Sequence, residues 1–204
     1  MLSCAIIGTG PAALTAAIFL TRAGIKPVLF ERRAAPGWKL LVAGSSGLNV
    51  TYDCPDEELV SHFSARRNEI GHCLQRFPRA EWLKLLTKLG EEPYIGSSHR
   101  YFLRNKTAAT LLAAWSESLL KAGAEFRYGE ELSEIIPGST LTLKFTSGLS
   151  VEAIRKKCFI SFSSADFYHA IVQTILSLVQ HIHRDLVLGI VAVVPAVEEV
   201  AIRD

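Results

Sequence analysis

LSCAIIGTGPAALTAAIFLTRAGIKPVLFE, residues 2–31, carries the pattern from which we predict the fold of this chain. Its first run, 2–7, is short and apolar and stops at a glycine, as a buried strand does. The segment 11–23 is rich in Ala, Leu and Ile at helical spacing, and a second apolar run, 26–30, closes at Glu31. Because a helix connects the two runs, we predict parallel strands in a right-handed βαβ unit.

The turn between the first strand and the helix carries a glycine motif. Gly8-Thr9-Gly10-Pro11-Ala12-Ala13 fits the pattern G-x-G-x-x-[GA] in the strand, turn and helix context of dinucleotide sites. Gly8 permits the sharp turn, Gly10 lets a pyrophosphate approach the backbone, and Ala13 keeps the helix close to the strand. The N–H groups at the start of the helix then face the phosphates.

Glu31 stands at the end of the second strand, 23 residues after Gly8. An acid about 20 residues after the first glycine typically accepts hydrogen bonds from the adenosine ribose, and it disfavours a 2′-phosphate. The turn and the acid together predict a site for an adenine dinucleotide, but they do not distinguish FAD from NAD. The alternative is a glycine turn in a generic βαβ unit, with Glu31 as a solvated charge.

A second cluster of glycine and serine follows in the segment 34–49, which we predict to be a loop. It contains PGWKLL at 36–41 and GSSGLNVT at 44–51. Backbone and hydroxyl groups of such a loop suit a flavin or a pyrophosphate, and Lys39 offers a compact positive charge. A plain surface loop is the alternative.

The rest of the chain mixes helical and strand patterns. Apolar spacing predicts two or three short helices over 56–89, a β-hairpin over 93–103 and an amphipathic helix over 107–123. Short alternating runs predict antiparallel strands at Glu125–Tyr128, Leu132–Ile136, Leu141–Thr146 and Leu149–Ala153. Further on, Ala165–His183 is predicted to be a helix and Leu186–Val194 an apolar strand.

Composition excludes several classes of protein. The 204 residues are 49% hydrophobic and 21% charged with a net charge of +2, which indicates a globular domain without a nucleic-acid or membrane partner. Four dispersed cysteines fit reduced thiols in the cytoplasm, and no apolar run reaches the length of a membrane span. His181 and His183 are two residues apart on a predicted helix and face apart, so we expect no metal site. The commonest hydrolase and NTPase motifs do not occur.

The run IIGTGPAALTAAIFLTRAGIKPVLFERRAAPGWKLLVAGSSGLNVT resembles the bacterial NAD(P)/FAD-dependent oxidoreductases of the aminoacetone-oxidase and BaiN-like family. It is most similar to a branch whose last motif reads G-S-S-G-L-N, and weaker similarity continues to about residue 150. The resemblance implies FAD as cofactor, with contacts from Gly8, Gly10, Pro11, Ala12, Ala13, Glu31, Arg32, Lys39, Leu40, Gly44, Ser45, Ser46, Gly47 and Asn49. Ala13 stands where glycine is frequent, and Trp38 stands where a basic residue is usual, which removes one phosphate contact.

The resemblance also implies a division of the chain. Family members are about twice as long, so we expect residues 1–53 to form the first part of an FAD domain, 54–153 an α+β insertion for substrate, and 154–204 a divergent segment of a truncated or frame-shifted chain. The family's next apolar strand, with its glycine loop, is expected to be missing after residue 153. An exposed sheet edge would then favour self-association.

The predicted fold is therefore α/β, an incomplete Rossmann-type FAD-binding unit with an α+β insertion. The predicted function is FAD-dependent oxidation or reduction of a small molecule, with NAD(P)H as a possible electron donor. Two alternatives stay open: a non-catalytic remnant that cannot complete the flavin site, and an NAD(P)-binding module. No catalytic side chain is assigned, because the flavin itself carries the redox chemistry.

Overall fold

The computed structural model describes residues 4–43, 48–62, 67–104, 107–136, 139–154, 159–162 and 191–193. In chain order its elements are β1 (Ala5–Ile7), α1 (Pro11–Arg22), β2 (Val28–Glu31), α2 (Trp38–Ala43), β3 (Asn49–Tyr52), α3 (Asp56–Ser61), α4 (Arg67–Arg76), α5 (Arg79–Lys88), β4 (Pro93–Ile95), β5 (Arg100–Leu103), α6 (Ala108–Lys121), β6 (Glu125–Tyr128), β7 (Leu132–Ile136), β8 (Thr140–Phe145), β9 (Ser150–Ile154), β10 (Phe159–Phe162) and β11 (Val191–Val193). The predicted helix 165–183, with His181 and His183, lies outside the described residues, as do Gly44, Ser45, Ser46 and Gly47.

Within the described residues, five parallel strands form the sheet at the centre of the fold. Its strand order is β6-β2-β1-β10-β11, so the chain first builds outward from β1 on one side and then returns to its other side. This is the order of a doubly wound Rossmann-type sheet, whose reversal lies between β1 and β10. The predicted α/β Rossmann-type class is confirmed.

Different layers cover the two faces of this sheet because side chains alternate along its strands. Cys4, Ile6 and Leu29 point into a core formed with α1, α5 and α6, in which the rings of Trp82 and Trp115 lie 5.7 Å apart. Ala5, Val28 and Phe30 point the other way, into a core formed with the antiparallel sheet β7-β8-β9. On that side, Phe30 stacks on Phe145 at a centroid distance of 4.6 Å.

A second antiparallel sheet, of order β3-β5-β4, stands beside α5. It confirms the hairpin predicted over 93–103, and α3, α4 and α5 confirm the short helices predicted over 56–89. The indole nitrogen of Trp82 donates a hydrogen bond of 3.1 Å to the carbonyl of Val50, which joins this sheet to the main core. The helix predicted over 107–123 is also confirmed, and a capping box of Thr107 and Thr110 starts it.

Three sequence-based predictions about secondary structure are wrong. Glu125–Tyr128 is not antiparallel but forms β6, which is parallel to β2. The long helix α6 carries the chain back to the edge of the sheet where β2 begins, so β6 runs in the same direction as β2. The loop predicted over 34–49 contains α2, since WKLLVA has no glycine or proline and its Leu40 is buried. An apolar strand does follow residue 153: β10 pairs in parallel with β1.

Strands of the central sheet come from all three segments predicted as domains. β1 and β2 belong to 1–53, β6 belongs to 54–153, and β10 and β11 belong to 154–204. The strand predicted at Leu186–Val194 contains β11. The domain boundaries stay predictions, as does self-association. Among the strands that the structure describes, β6 and β11 are the outermost of the central sheet. No helix within the described ranges is long and apolar enough to cross a membrane.

Gly37 provides a test of how α2 is held against α6. Its φ is +67°, and a Cβ added to it would lie 2.3 Å from Cδ2 of the buried Leu112. Gly37→Ala therefore has two costs, the left-handed backbone conformation of a residue with a Cβ and the steric overlap of that Cβ with Leu112. Together they should lower the free energy of unfolding, measured by urea titration, by about 2–4 kcal/mol. The matched control is Gly90→Ala, whose φ is +81° but whose added Cβ meets nothing within 4 Å. It should cost only about 1–2 kcal/mol, and equal losses would refute the packing argument.

Candidate functional site

A groove of about 360 Å³ opens at the carboxyl ends of β1 and β2, where Rossmann-type sheets bind ligands. It is lined by residues at the ends of β1 and β2, at the start of α2 and between β6 and β7: Ile7, Gly8, Thr9, Gly10, Phe30, Glu31, Arg32, Arg33, Trp38, Lys39, Glu130, Glu131 and Leu132. The glycine turn and the acid that the sequence pairs are therefore brought together in one groove.

The floor of the groove is the turn from β1 into α1. Gly8 has a φ of +91°, a conformation that glycine adopts without steric cost, and its N–H donates a 2.7 Å hydrogen bond to the carbonyl of Phe30. Gly10 occupies the N-cap position of α1, and no side chain within the described ranges caps this helix end. The N–H groups and the positive end of the helix dipole are thus free to bind an anion.

Gly10 is not required by the protein's own packing. Its φ of −68° is open to any residue, and a Cβ added to it meets nothing within 4 Å. The space in front of Gly10 therefore belongs to the groove. It is the space that a pyrophosphate would fill at an uncapped helix start.

The acid that the sequence assigns to a ribose is already engaged with the turn. The N–H of Thr9 donates a 3.0 Å hydrogen bond to Oε2 of Glu31, and the hydroxyl of Thr9 donates a second, short hydrogen bond to the same oxygen. The N–H of Arg33 donates to Oε1 at 3.0 Å. Thr9 is fully buried and Glu31 is 9% exposed, so Glu31 is not the solvated charge of the alternative interpretation.

These contacts leave Glu31 with acceptor capacity for a ligand. A carboxylate offers about four lone-pair positions, and Thr9 and Arg33 occupy three of them. One further hydrogen bond, such as one from a ribose hydroxyl, is compatible with the existing network. Burial, and after it the negative charge of Glu31, raises the pKa of the neighbouring Tyr128 hydroxyl.

The other predicted site residues have different environments. Arg32 and Lys39 line the groove, whereas Pro11, Ala12 and Ala13 are buried in the first turn of α1 beneath it. Leu40 is 1% exposed in the main core, so any contact with a ligand would come from its backbone. Asn49 begins β3 and does not line the groove. The cofactor contacts of all these residues stay predictions.

Sequence reasoning missed several residues that the groove contains. In the glycine motif Thr9 is a variable position, and the sequence patterns assign neither Arg33 nor Trp38 to the site, yet all three line the groove. Glu130 and Glu131 follow β6, so recognising that strand as parallel would have placed them at the same edge as Glu31. Arg32 and Glu131 form an exposed ion pair of 3.5 Å at the rim of the groove.

The glycine turn, the uncapped helix start and the strand-end acid, set on a doubly wound sheet, place the chain in the class of Rossmann-type proteins. In comparison with known families, the model of the HI0933-like protein Rossmann domain matches residues 2–160, and the chain belongs to this family. The match confirms the family resemblance seen in the sequence. It also extends past residue 153, where the resemblance was expected to end. No sequence among the curated proteins matches the chain.

Solved structures share this fold at low sequence identity. A 3-ketosteroid-Δ4-(5α)-dehydrogenase from Rhodococcus jostii superposes with a TM-score of 0.58 and 14% identity, over 79% of this chain and 46% of that one. The p-nitrophenol 4-monooxygenase PnpA from Pseudomonas putida superposes with a TM-score of 0.50 and 17% identity, over 81% of this chain and 41% of that one. The chain thus spans less than half the length of these two structures. At these identities the likeness shows the fold alone.

Removal of the Thr9 hydroxyl tests the network. Thr9→Val removes the hydrogen bond to Glu31 and the 3.3 Å hydrogen bond that the hydroxyl accepts from the N–H of Gly37. It should lower the free energy of unfolding by about 1–3 kcal/mol in urea titration, because a buried carboxylate loses a donor. Thr15→Val is the matched control: Thr15 is equally buried, but its hydroxyl bonds only the carbonyl of Pro11 within α1. A loss no larger than that of the control would contradict the network.

Proposed function

We propose that this groove binds the adenosine diphosphate half of FAD and that the chain functions within an FAD-dependent oxidoreductase. The observation that carries the proposal is the space in front of Gly10, beside an uncapped helix start and within the same groove as the buried Glu31. Membership of the HI0933-like Rossmann family and the flavoprotein resemblance of residues 1–150 support FAD over other adenine dinucleotides.

The residues of the groove fit each part of such a ligand. The backbone N–H groups of Gly10, Ala12 and Ala13 suit the pyrophosphate, and the free acceptor position of Glu31 suits a ribose hydroxyl. Arg32 and Lys39 add positive charge at the rim. When bound, FAD would supply the hydride-transfer chemistry, while the protein supplies binding and orientation. We further propose that the substrate is a small molecule and that the electrons come either from that substrate or from NAD(P)H.

The direct test is an absorbance spectrum of the purified chain followed by titration with FAD, monitored by quenching of flavin fluorescence. Saturable binding of one FAD per chain, or a yellow protein as purified, is the expected result. A folded protein that binds ADP but not FAD would favour an NAD(P)-binding module. A folded protein that binds neither ligand would contradict the proposal and leave the non-catalytic remnant as the better account.

Gly10 separates ligand binding from folding. Gly10→Val places an isopropyl group in the space proposed for the pyrophosphate and should raise the Kd for FAD by about 100-fold or more, equivalent to about 2.7 kcal/mol. The same change should alter the free energy of unfolding by only about 1 kcal/mol or less, because the φ is ordinary and the added Cβ meets nothing.

Gly10→Ala is the graded control for that experiment, since it adds only the Cβ and should weaken FAD less than valine does. Flavin fluorescence and urea titration of the same two variants give both quantities. FAD affinity that is unchanged in Gly10→Val would show that the turn does not hold the pyrophosphate.

A further inference from the structure

We propose that Arg33, held in place by the ring of Trp38, is a phosphate-binding cation of the groove. Its ligand would be the diphosphate of the adenine dinucleotide, and the inference therefore rests on the proposed function. Arg33 and Trp38 both line the groove that contains the glycine turn.

The geometry of the pair suits this role. The guanidinium carbon of Arg33 lies 4.4 Å from the centre of the Trp38 ring, and Trp38 is 50% exposed. Stacking on an indole face fixes the plane of a guanidinium, while the N–H groups around its edge stay available for oxygen atoms. A flexible exposed arginine is thereby converted into a preorganised donor for a phosphate.

The charge of Arg33 is also uncommitted within the described part of the chain. Its neighbour Arg32 is paired with Glu131 across the rim, whereas the structure gives Arg33 no ion pair among the described residues. The carboxylate of Glu31 binds the backbone N–H of Arg33 and not its guanidinium. A phosphate that binds the guanidinium of Arg33 therefore does not compete with a carboxylate of the described residues, whereas one that binds Arg32 competes with Glu131.

Two hydrogen bonds from backbone N–H groups to side chains keep the pair beside the glycine turn. The N–H of Arg33 binds Glu31 at 3.0 Å, and the N–H of Gly37 binds the hydroxyl of Thr9 at 3.3 Å. Trp38 is the residue after Gly37, so the hydrogen bond between Gly37 and Thr9 also limits where the Trp38 ring can lie. The sequence pattern predicts that Trp38 removes a phosphate contact. In this geometry Trp38 instead positions the cation that provides another.

The test compares ADP, which carries the diphosphate, with adenosine, which does not, by isothermal titration calorimetry. Arg33→Gln should weaken ADP roughly 10-fold or more, the factor of a charge-assisted hydrogen bond, and leave adenosine unchanged. Arg22→Gln is the matched control, because Arg22 also lies over an aromatic ring, that of Phe19, but at the far end of α1. It should leave the affinity for both ligands unchanged.

The role of Trp38 is tested by a double-mutant cycle with Trp38→Leu. Trp38→Leu alone should weaken ADP by a smaller factor than Arg33→Gln, and the double variant should bind ADP as Arg33→Gln does. Strictly multiplicative losses would show that Trp38 does not act through Arg33. Fluorescence gives a second readout, because Trp82 and Trp115 are buried and Trp38 is exposed. ADP should quench an emission that Trp38→Leu lacks.

The outcomes separate this inference from the proposed function. If the wild-type chain binds neither ADP nor adenosine, the proposed function fails. If it binds both and Arg33→Gln leaves their affinity ratio unchanged, only the role of Arg33 is overturned. Arg33→Lys keeps the charge without the planar stack and should give an intermediate ADP affinity, so the inference stays testable even if Arg33→Gln unfolds. Wild-type ADP affinity in Arg33→Lys would overturn the need for the stacked guanidinium.

Discussion

The hydrogen bonds between Thr9 and Glu31 hold the candidate site together. A carboxylate that is almost fully buried is stable only when donors surround it, and Thr9 supplies two of them from the turn after β1. The same hydroxyl accepts a hydrogen bond from the N–H of Gly37, which fixes the start of α2, where Trp38 lies. Two strand ends and the start of α2 are thereby joined through one buried side chain. The glycine turn keeps its shape because this network holds it from the β2 side.

The central sheet extends this local constraint to the whole groove. β2 lies between β1 and β6, so the residues that follow β6 reach the same edge as Glu31. The chain then continues directly into the antiparallel sheet that covers the face formed by Ala5, Val28 and Phe30. Glu130 and Glu131 are consequently part of the connection between two packed layers, and the packing of Phe145 on Phe30 holds that connection in place. The side of the groove that Glu130 and Glu131 form is therefore held in place by the packing of the core beneath it.

The sequence was sufficient for the βαβ unit, because glycine spacing, helix periodicity and a strand-end acid are local signals that agree with one another. It was insufficient for Glu125–Tyr128, whose alternating pattern is the same in an edge strand of either direction, so its parallel pairing with β2 depends on the path of α6. Glu130 and Glu131 were missed for the same reason. Thr9 was missed because its role is a contact with Glu31, 22 residues away, that no spacing rule encodes. The stacking of Arg33 on Trp38 likewise depends on how α2 docks against α6 through Gly37.

The position of β1 in the sheet has a consequence for synthesis of the chain. β1 is an inner strand, and its partners are β2, which ends at Glu31, and β10, which begins at Phe159. A ribosome adding about 5–20 residues per second therefore makes the two partners on the order of ten seconds apart. During that interval one side of β1 presents unpaired backbone N–H and carbonyl groups. The nascent chain is therefore most open to strand pairing with other chains before its last described strands emerge.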